Sequence, residues 1–265
     1  MPLLGLPELA ELKERPIVTS GFWSLDHLLP QGGVPRGSLM EWLGDDDVSG
    51  ATTLAAAVAV SLAGGVAAGG TILIVDRGGR FHPPAVMPWL AAAWSASASR
   101  PQCVVARPAR DDDEVWTIDQ ALRCPGVTVV LAWPRQVHPT AMRRWQLAAR
   151  SSQAVGMLVR PGRVRREPSW AMHRIAVAPV ADGSLGSRRL RLSLVGGPWS
   201  AAGIAGGHER SVEIVLDLVR GREMAAGEHS LIGMPGHSRQ RPSPAIRHSP
   251  VRLPSQEGDL VCRAS

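Results

Sequence analysis

The chain has 265 residues, of which 45% are apolar, and its formal net charge is +6. This apolar content is enough for one sizeable hydrophobic core. The three cysteines, Cys103, Cys124 and Cys262, are scattered, which argues against a disulfide framework and against a zinc site built from paired cysteines. No apolar run is long and uncharged enough to span a bilayer, and the acidic start does not suit a signal peptide. We therefore expect a cytoplasmic protein without membrane contact.

Strand and helix patterns alternate along most of the chain. Residues 1–16 are expected to form an N-terminal extension with a short helix, and residues 17–220 a single core domain. The apolar runs predict strands at Ser38–Leu43, Thr71–Val75, Gln102–Ala106, Val127–Leu131 and Val155–Val159. The helical patterns between them lie at Thr52–Val66, Ala85–Ser97, Asp111–Leu122 and His138–Arg150. This alternation predicts an α/β fold with a mostly parallel sheet flanked by helices.

Two of these helices carry more detailed signals. Met87, Leu90 and Trp94 share one stripe at helical spacing, so we expect them to face the core. Asp111 and Glu114 have the spacing of a capping pattern at the start of a helix.

The pattern changes in the last third of the chain. Three apolar runs, Ala171–Ala178, Arg188–Val195 and Ser211–Leu216, follow one another without full helices between them. We expect these strands to extend the sheet in antiparallel fashion. Residues 221–265 are rich in Pro, Arg and Ser, a composition that predicts a mostly disordered tail.

Residues 19–53 read TSGFWSLDHLLPQGGVPRGSLMEWLGDDDVSGATT. This stretch resembles the entry to the core of RecA recombinases, in which T-G-x-x-x-L-D-x-x-L-x-x-G-G-x-P-x-G leads into a strand and then a phosphate loop. The residues that carry the match are Ser20, Gly21, Leu25, Asp26, Leu29, Gly32, Gly33, Pro35 and Gly37. The resemblance implies a RecA-like core with the fold of P-loop NTPases across residues 17–220.

The segment at the phosphate-loop position lacks the residues that bind nucleotide. A phosphate loop, G-x-x-x-x-G-K-[ST], surrounds phosphates with backbone N–H groups, neutralises them with lysine and holds Mg²⁺ with a hydroxyl. Here Ala51 stands where the lysine belongs, the loop is one residue longer, and Asp45, Asp46 and Asp47 repel a triphosphate. The degenerate loop consists of Gly44, Ser49, Gly50, Ala51, Thr52 and Thr53 around these acids. We therefore expect no nucleotide and no other cofactor.

Two further positions favour the same interpretation. The strand Thr71–Val75 leads into Asp76, but Gly78 takes the position of the RecA-like catalytic glutamate. The strand Val127–Leu131 continues to Pro134 without the aspartate that orders Mg²⁺. The main hypothesis is a non-catalytic protein with a RecA-like core. The alternative is a divergent DNA-dependent ATPase of the RecA/RadA type whose catalytic groups are displaced.

Among RecA relatives without a complete ATP site, the chain resembles the ImuA family of bacterial accessory proteins for translesion DNA synthesis. The similar segments are GGVPRG at 32–37, the lysine-free loop, LAWPRQVHPTAMRRWQLAAR at 131–150 and MLVRP at 157–161. The resemblance implies a role in the SOS response to DNA damage, an ImuB-type partner related to Y-family polymerases, and contact with RecA. SulA-type inhibitors of cell division, which are usually shorter and lack the C-terminal strands and tail, are the alternative family.

Arginine dominates part of the second half of the chain. Residues 143–191 contain eleven arginines against two acids, Glu167 and Asp182. Loops at the carboxyl ends of parallel strands face the ligand side of such sheets, so these arginines are candidates to contact DNA phosphates. An acidic protein surface and a merely solvated basic face are the alternatives. The candidate contact residues are Arg143, Arg144, Arg160, Arg163, Arg165 and Arg166, with Trp170 nearby to stack on bases or to pack in the core.

Overall fold

A computed structural model describes residues 15–45, 48–66, 69–96, 100–181, 186–197 and 210–224. These residues belong to one compact unit, Met1–Gly233. Residues 1–14 of the predicted extension and residues 225–265 of the predicted tail lie outside the described residues.

The strands and helices follow the predicted alternation. The strands are β1 (Ile17–Val18), β2 (Val34–Pro35), β3 (Leu39–Gly44), β4 (Thr71–Val75), β5 (Gln102–Ala106), β6 (Val129–Ala132), β7 (Val155–Pro161), β8 (His173–Pro179), β9 (Ser187–Gly196), β10 (Ser211–Asp217) and β11 (Arg222–Glu223). The helices are α1 (Trp23–Leu28), α2 (Ala51–Gly64), α3 (Pro83–Ala96), α4 (Asp111–Arg123) and α5 (Pro139–Ser152), and Gly162–Arg166 forms a 3₁₀ turn.

Within the described residues, nine strands form one sheet in the order β11-β10-β9-β8-β3-β7-β6-β4-β5, and β1 and β2 form a separate antiparallel pair. The six strands from β8 to β5 are mutually parallel, whereas β9, β10 and β11 are antiparallel to their neighbours. The predicted α/β architecture is confirmed: a large, mostly parallel sheet, flanking helices and antiparallel strands near the C-terminal end.

The direction of β8 differs from the prediction. This strand lies parallel to β3, with Met40 opposite His173, and only its other neighbour, β9, is antiparallel to it. A parallel partner needs a connection long enough to carry the chain back to the starting edge of the sheet. Residues 162–172 provide that connection with a single 3₁₀ turn, so no helix pattern marks the crossover in the sequence.

The core has one apolar layer on each face of the sheet. One layer packs α2 and α3 against β3, β4, β6 and β7, and α2 is buried along nearly its whole length because its residues are mostly Ala and Val. The other layer packs α4 and α5 through residues such as Ile118, Leu122, Met142 and Trp145. Among the described residues, no helix is both long enough and apolar enough to cross a membrane.

Two local predictions need correction. In α3 Leu90 is buried as predicted, together with Val86 and Trp89, but Met87 is 44% exposed; the side chain of Trp94 lies outside what the structure describes. The indole N–H of Trp89 donates to the carbonyl oxygen of Leu218 at 3.0 Å, which fixes the rotation of the helix. In α4 the N-cap residue is Arg110, and its side chain makes no capping hydrogen bond. The carboxylate of Glu114 instead accepts from Arg77 at 3.4 Å.

Candidate functional site at the carboxyl edge of the parallel sheet

The predicted site residues lie mainly where the parallel strands end. The carboxyl ends of β3, β4, β6 and β7 share one edge of the sheet, the edge at which ligands bind in open α/β folds. β3 lies inside the sheet, between β7 and β8, and leads through a loop into α2. This strand–loop–helix unit is the local architecture in which phosphate loops occur.

The described residues of the loop between β3 and α2 make several contacts within the protein. Gly50 is the N-cap of α2 with φ of 88°, a left-handed conformation that favours glycine. The hydroxyl of the buried Ser49 accepts from the backbone N–H of Ala51 at 3.3 Å. From the other side β9 covers the turn, because a Cβ on Gly50 would lie 2.6 Å from the Leu190 side chain. The Ala51 amide, one of the donors that a phosphate would need, is therefore already used.

β9 also contacts the loop through a charged residue. The guanidinium of Arg188 donates to the carbonyl oxygen of Val48. Gly44 ends β3 directly beneath Ser49, where a side chain would collide with the serine hydroxyl. The described part of the loop is thus packed against its own residues and against β9.

Trp133 lies at the carboxyl end of β6, beside the first turn of α2. It follows β6 directly and is 6% exposed. Its indole N–H donates to the hydroxyl of Thr52 at 3.0 Å. Thr52 is the hydroxyl residue of the degenerate phosphate-loop motif, and the neighbouring Thr53 is half-buried in the same turn of α2. The contact ties the end of β6 to the first turn of α2.

Asp76, at the end of β4, organises a turn. Its carboxylate is 1% exposed and accepts from the backbone N–H groups of Arg80 at 2.7 Å and Phe81 at 3.2 Å. Both hydrogen bonds fix residues 77–81 as they leave the sheet. The aspartate at this position therefore has a structural role.

A buried ionic network supports the arginine-rich turn after β7. Glu41 of β3 is fully buried and accepts from Arg160 of β7 at 2.7 Å and from Arg174 of β8 at 2.6 Å. Arg174 also donates to the backbone carbonyl oxygens of Val164, Arg165 and Glu167, at distances of 2.7 to 3.0 Å. Three strands thus hold the turn through main-chain contacts that do not depend on its exposed side chains.

The predicted contact arginines fall into four environments. Arg163, Arg165 and Arg166 are exposed on the 3₁₀ turn. Arg143 is exposed on α5 with its guanidinium 5.0 Å from the ring centroid of Trp170, which is half-buried. Arg144 is half-exposed and donates to Asp119 at 2.9 Å. Arg160 is 3% exposed, so its guanidinium faces the protein interior.

Glu41 and Arg174, the residues that position the turn, were not among the predicted site residues. The sequence of β3, LMEWLG, nevertheless indicates a buried ion pair, because it contains one acid in an otherwise apolar strand. A charge in such a run needs a buried partner of opposite sign. Arg160 and Arg174 were the available candidates at the ends of neighbouring strands.

Neither the protein-family models nor the curated proteins compared with this chain match it.

Among the described residues, no three His, Cys, Asp or Glu side chains are grouped so that they could hold a metal ion. The site is instead defined by contacts among protein groups. These contacts pack the described part of the loop after β3 and fix the turn after β7 on which arginines are exposed.

Proposed function

We propose that this chain is a RecA-like accessory protein of the DNA-damage response, similar to the ImuA family, that acts in translesion synthesis through partner contacts and not through ATP hydrolysis. The observation that carries the proposal is the hydrogen bond between Trp133 and Thr52. In a RecA-like ATPase the corresponding two positions would order Mg²⁺, whereas here the threonine hydroxyl accepts a hydrogen bond from an indole N–H.

Electrostatics at the loop support the absence of nucleotide chemistry. Ala51 provides no cation, and Asp45, Asp46 and Asp47 bring negative charge to the segment. Two like charges about 4 Å apart repel by roughly 1 kcal/mol even in water, and by more where water is excluded. A triphosphate would meet this repulsion without the lysine that normally offsets it.

The arginine-rich turn supports a role as a contact surface. Burying Glu41 with Arg160 and Arg174 carries a desolvation penalty that an apolar cluster of the same volume would avoid. In return, the network fixes the backbone that presents Arg163, Arg165 and Arg166. Preorganised arginines suit a partner that offers phosphates or carboxylates in a defined place.

A nucleotide titration tests the absence of ATP chemistry. We expect no binding heat in calorimetry when ATP and Mg²⁺ are added to the purified chain, whereas a RecA recombinase under the same conditions serves as the positive control. Binding of ATP in the micromolar range would refute the proposal. Release of phosphate that is stimulated by single-stranded DNA would instead support the divergent ATPase.

A binding assay with purified partners tests the cellular role. We expect the tagged chain to retain an ImuB-type relative of Y-family polymerases and to show no retention of the tubulin-like division protein. The reverse pattern would favour the SulA-type alternative. Retention of neither protein would contradict the proposed role in translesion synthesis.

A further inference from the structure

The loop after β3 and the arginine-rich turn after β7 leave the sheet side by side. β3 and β7 are neighbouring parallel strands, and Gly44 lies opposite Pro161 where the two strands end. Neighbouring strands are about 4.8 Å apart, so the residues that follow, Asp45 and Gly162, leave the sheet next to each other. An acidic residue of one connection therefore adjoins the start of the basic connection.

The side chain of Asp45 lies against the first residue of the turn. A Cβ on Gly162 would collide with the Asp45 carboxylate and would lie 2.9 Å from its carboxyl carbon. The space that a side chain at position 162 would need is thus filled by a carboxylate. Asp45 and Arg163, which follows Gly162, are both exposed. A ligand that approaches Arg163 from solvent therefore meets a negative charge on the same surface.

The main chain on both sides of this contact is held in place. Arg174 holds the turn through hydrogen bonds to three main-chain carbonyl oxygens. Asp45 directly follows Gly44, which is buried and paired in register within the sheet. The carboxylate therefore stays beside the turn when a ligand arrives, apart from rotation about its own side-chain bonds.

Stabilisation of α2 does not account for an acid at this position. Acidic residues stabilise a helix when they lie in its first turn, and the effect falls off beyond that turn. Asp45 lies well before Gly50, the N-cap residue of α2. Its contact with the arginine-rich turn indicates instead where its charge acts.

We propose that Asp45 limits the affinity of the arginine-rich turn for nucleic-acid phosphates. A single strand carries a negative charge at every phosphate, and a strand that reaches Arg163 places phosphates beside the Asp45 carboxylate as well. Like charges a few ångströms apart repel each other, and more strongly where a bound ligand excludes water. This inference rests on the contact surface of the proposed function and assigns to that surface a residue that acts against phosphate binding.

Removal of the charge tests this role in the full chain. Asp45→Asn keeps the size of the side chain, and circular dichroism checks that the variant is folded. Binding of a short labelled single-stranded oligonucleotide is followed by fluorescence anisotropy at about 0.1 M salt, where the Debye length is about 10 Å. We expect roughly threefold tighter binding, the effect of removing one charge about 7 Å from a phosphate. Unchanged or weaker binding would overturn the proposal.

Asp112→Asn provides the matched control. Asp112 is an exposed aspartate in the first turn of α4, and this helix follows β5. β5 lies three strands from β7, about 14 Å across the sheet, which exceeds the Debye length at this salt concentration. The control removes the same charge and should change the affinity by less than about 1.5-fold. Equal gains from the two variants would show that only net charge matters and would refute a local role of Asp45.

A cycle of combined variants tests whether Asp45 acts through the turn. In a chain with Arg163→Gln and Arg166→Gln, the gain from Asp45→Asn should fall below about 1.5-fold, because phosphates are no longer attracted to the turn. An undiminished gain would place the effect of Asp45 elsewhere and contradict the proposal.

The same variants separate this inference from the contact surface on which it rests. If the two glutamine substitutions weaken binding while Asp45→Asn has no effect, the arginines contact DNA and only the role of Asp45 is refuted. If the glutamine substitutions leave binding unchanged, or if no chain binds, the turn does not contact DNA. The inference then fails together with that contact.

Discussion

Trp133 and Thr52 form a contact whose energy can be measured residue by residue. Removing the indole N–H by Trp133→Phe should lower the free energy of unfolding by about 1 kcal/mol, the usual net contribution of one hydrogen bond. Thr52→Val should have a similar effect, and the double variant should cost clearly less than the sum of the two because both remove the same interaction. Urea denaturation measures all three. Full additivity would show that the two side chains do not interact.

His173 makes stability depend on pH. The imidazole is buried in β8, and this burial lowers its pKa from 6.5 to about 3. In the unfolded chain the same group takes up a proton below about pH 6.5, so the unfolded state binds more protons between pH 6.5 and pH 3. His173 therefore leaves stability unaffected above pH 6.5 and reduces it progressively as the pH falls through this window.

A neutral replacement isolates this effect. Relative to its value at pH 8, the unfolding free energy of the unmodified chain at pH 5.5 should fall by about 1.4 kcal/mol more than that of His173→Leu. Other titrating groups contribute equally to both proteins and cancel in the comparison. Urea denaturation at the two pH values gives the difference. Parallel pH profiles would mean that the imidazole has the same pKa in the folded and the unfolded chain, and would contradict the lowered pKa.

At the scale of single residues, the sequence shows local motifs but not long-range contacts. Ala51, Gly78 and the absence of an acid before Pro134 are visible in the motif itself. The hydrogen bond between Trp133 and Thr52 joins positions 81 residues apart, and no local pattern records it. The same limit applies to Glu41, whose partners Arg160 and Arg174 lie 119 and 133 residues away. Only the topology of the sheet brings them together.

The ionic network links three strands to one turn, and its members differ in burial. Glu41→Gln should lower the unfolding free energy by roughly 3–5 kcal/mol, because it leaves two buried guanidinium groups without their carboxylate. Glu167→Gln makes the same chemical change at a side chain that is 55% exposed and also pairs with Arg160. That control should cost no more than about 1 kcal/mol. Chemical denaturation compares the two, and equal losses would contradict the buried role of Glu41.

At the scale of elements, apolar runs predicted strands well where turns bound them. β4 and β5 have the predicted bounds, and the other parallel strands differ by at most two residues at either end. The direction of β8 was not predictable, because the parallel crossover before it contains only a 3₁₀ turn. In α3 the prediction was right for Leu90 and wrong for Met87, since the rotation of the helix depends on the long-range contact between Trp89 and Leu218. Local periodicity determines which segments form elements, while long-range contacts determine how they are oriented.

The whole molecule carries an excess positive charge, and the arrangement of arginines decides whether it has a preferred face. The exposed arginines of the 3₁₀ turn lie at the carboxyl edge of the parallel strands. Arg100, before β5, and Arg150, in the last turn of α5, lie toward the opposite edge. If DNA phosphates bind at the carboxyl edge, charge reversal there should weaken DNA binding more than the same reversal elsewhere. The two pairs allow the effect of position to be separated from that of net charge.

The last prediction uses these pairs. Arg165→Glu with Arg166→Glu and Arg100→Glu with Arg150→Glu each change the net charge by the same amount. The first variant should bind a labelled single-stranded oligonucleotide more weakly, and its log–log salt slope should fall by about 1.4, or 0.7 for each lost phosphate contact. The second variant should keep the slope of the unmodified chain, with a smaller and uniform loss of affinity. Fluorescence anisotropy between about 50 and 200 mM salt gives both slopes. Equal slopes for the two variants would show that DNA binding depends on net charge alone. The turn would then remain a candidate surface for an acidic protein.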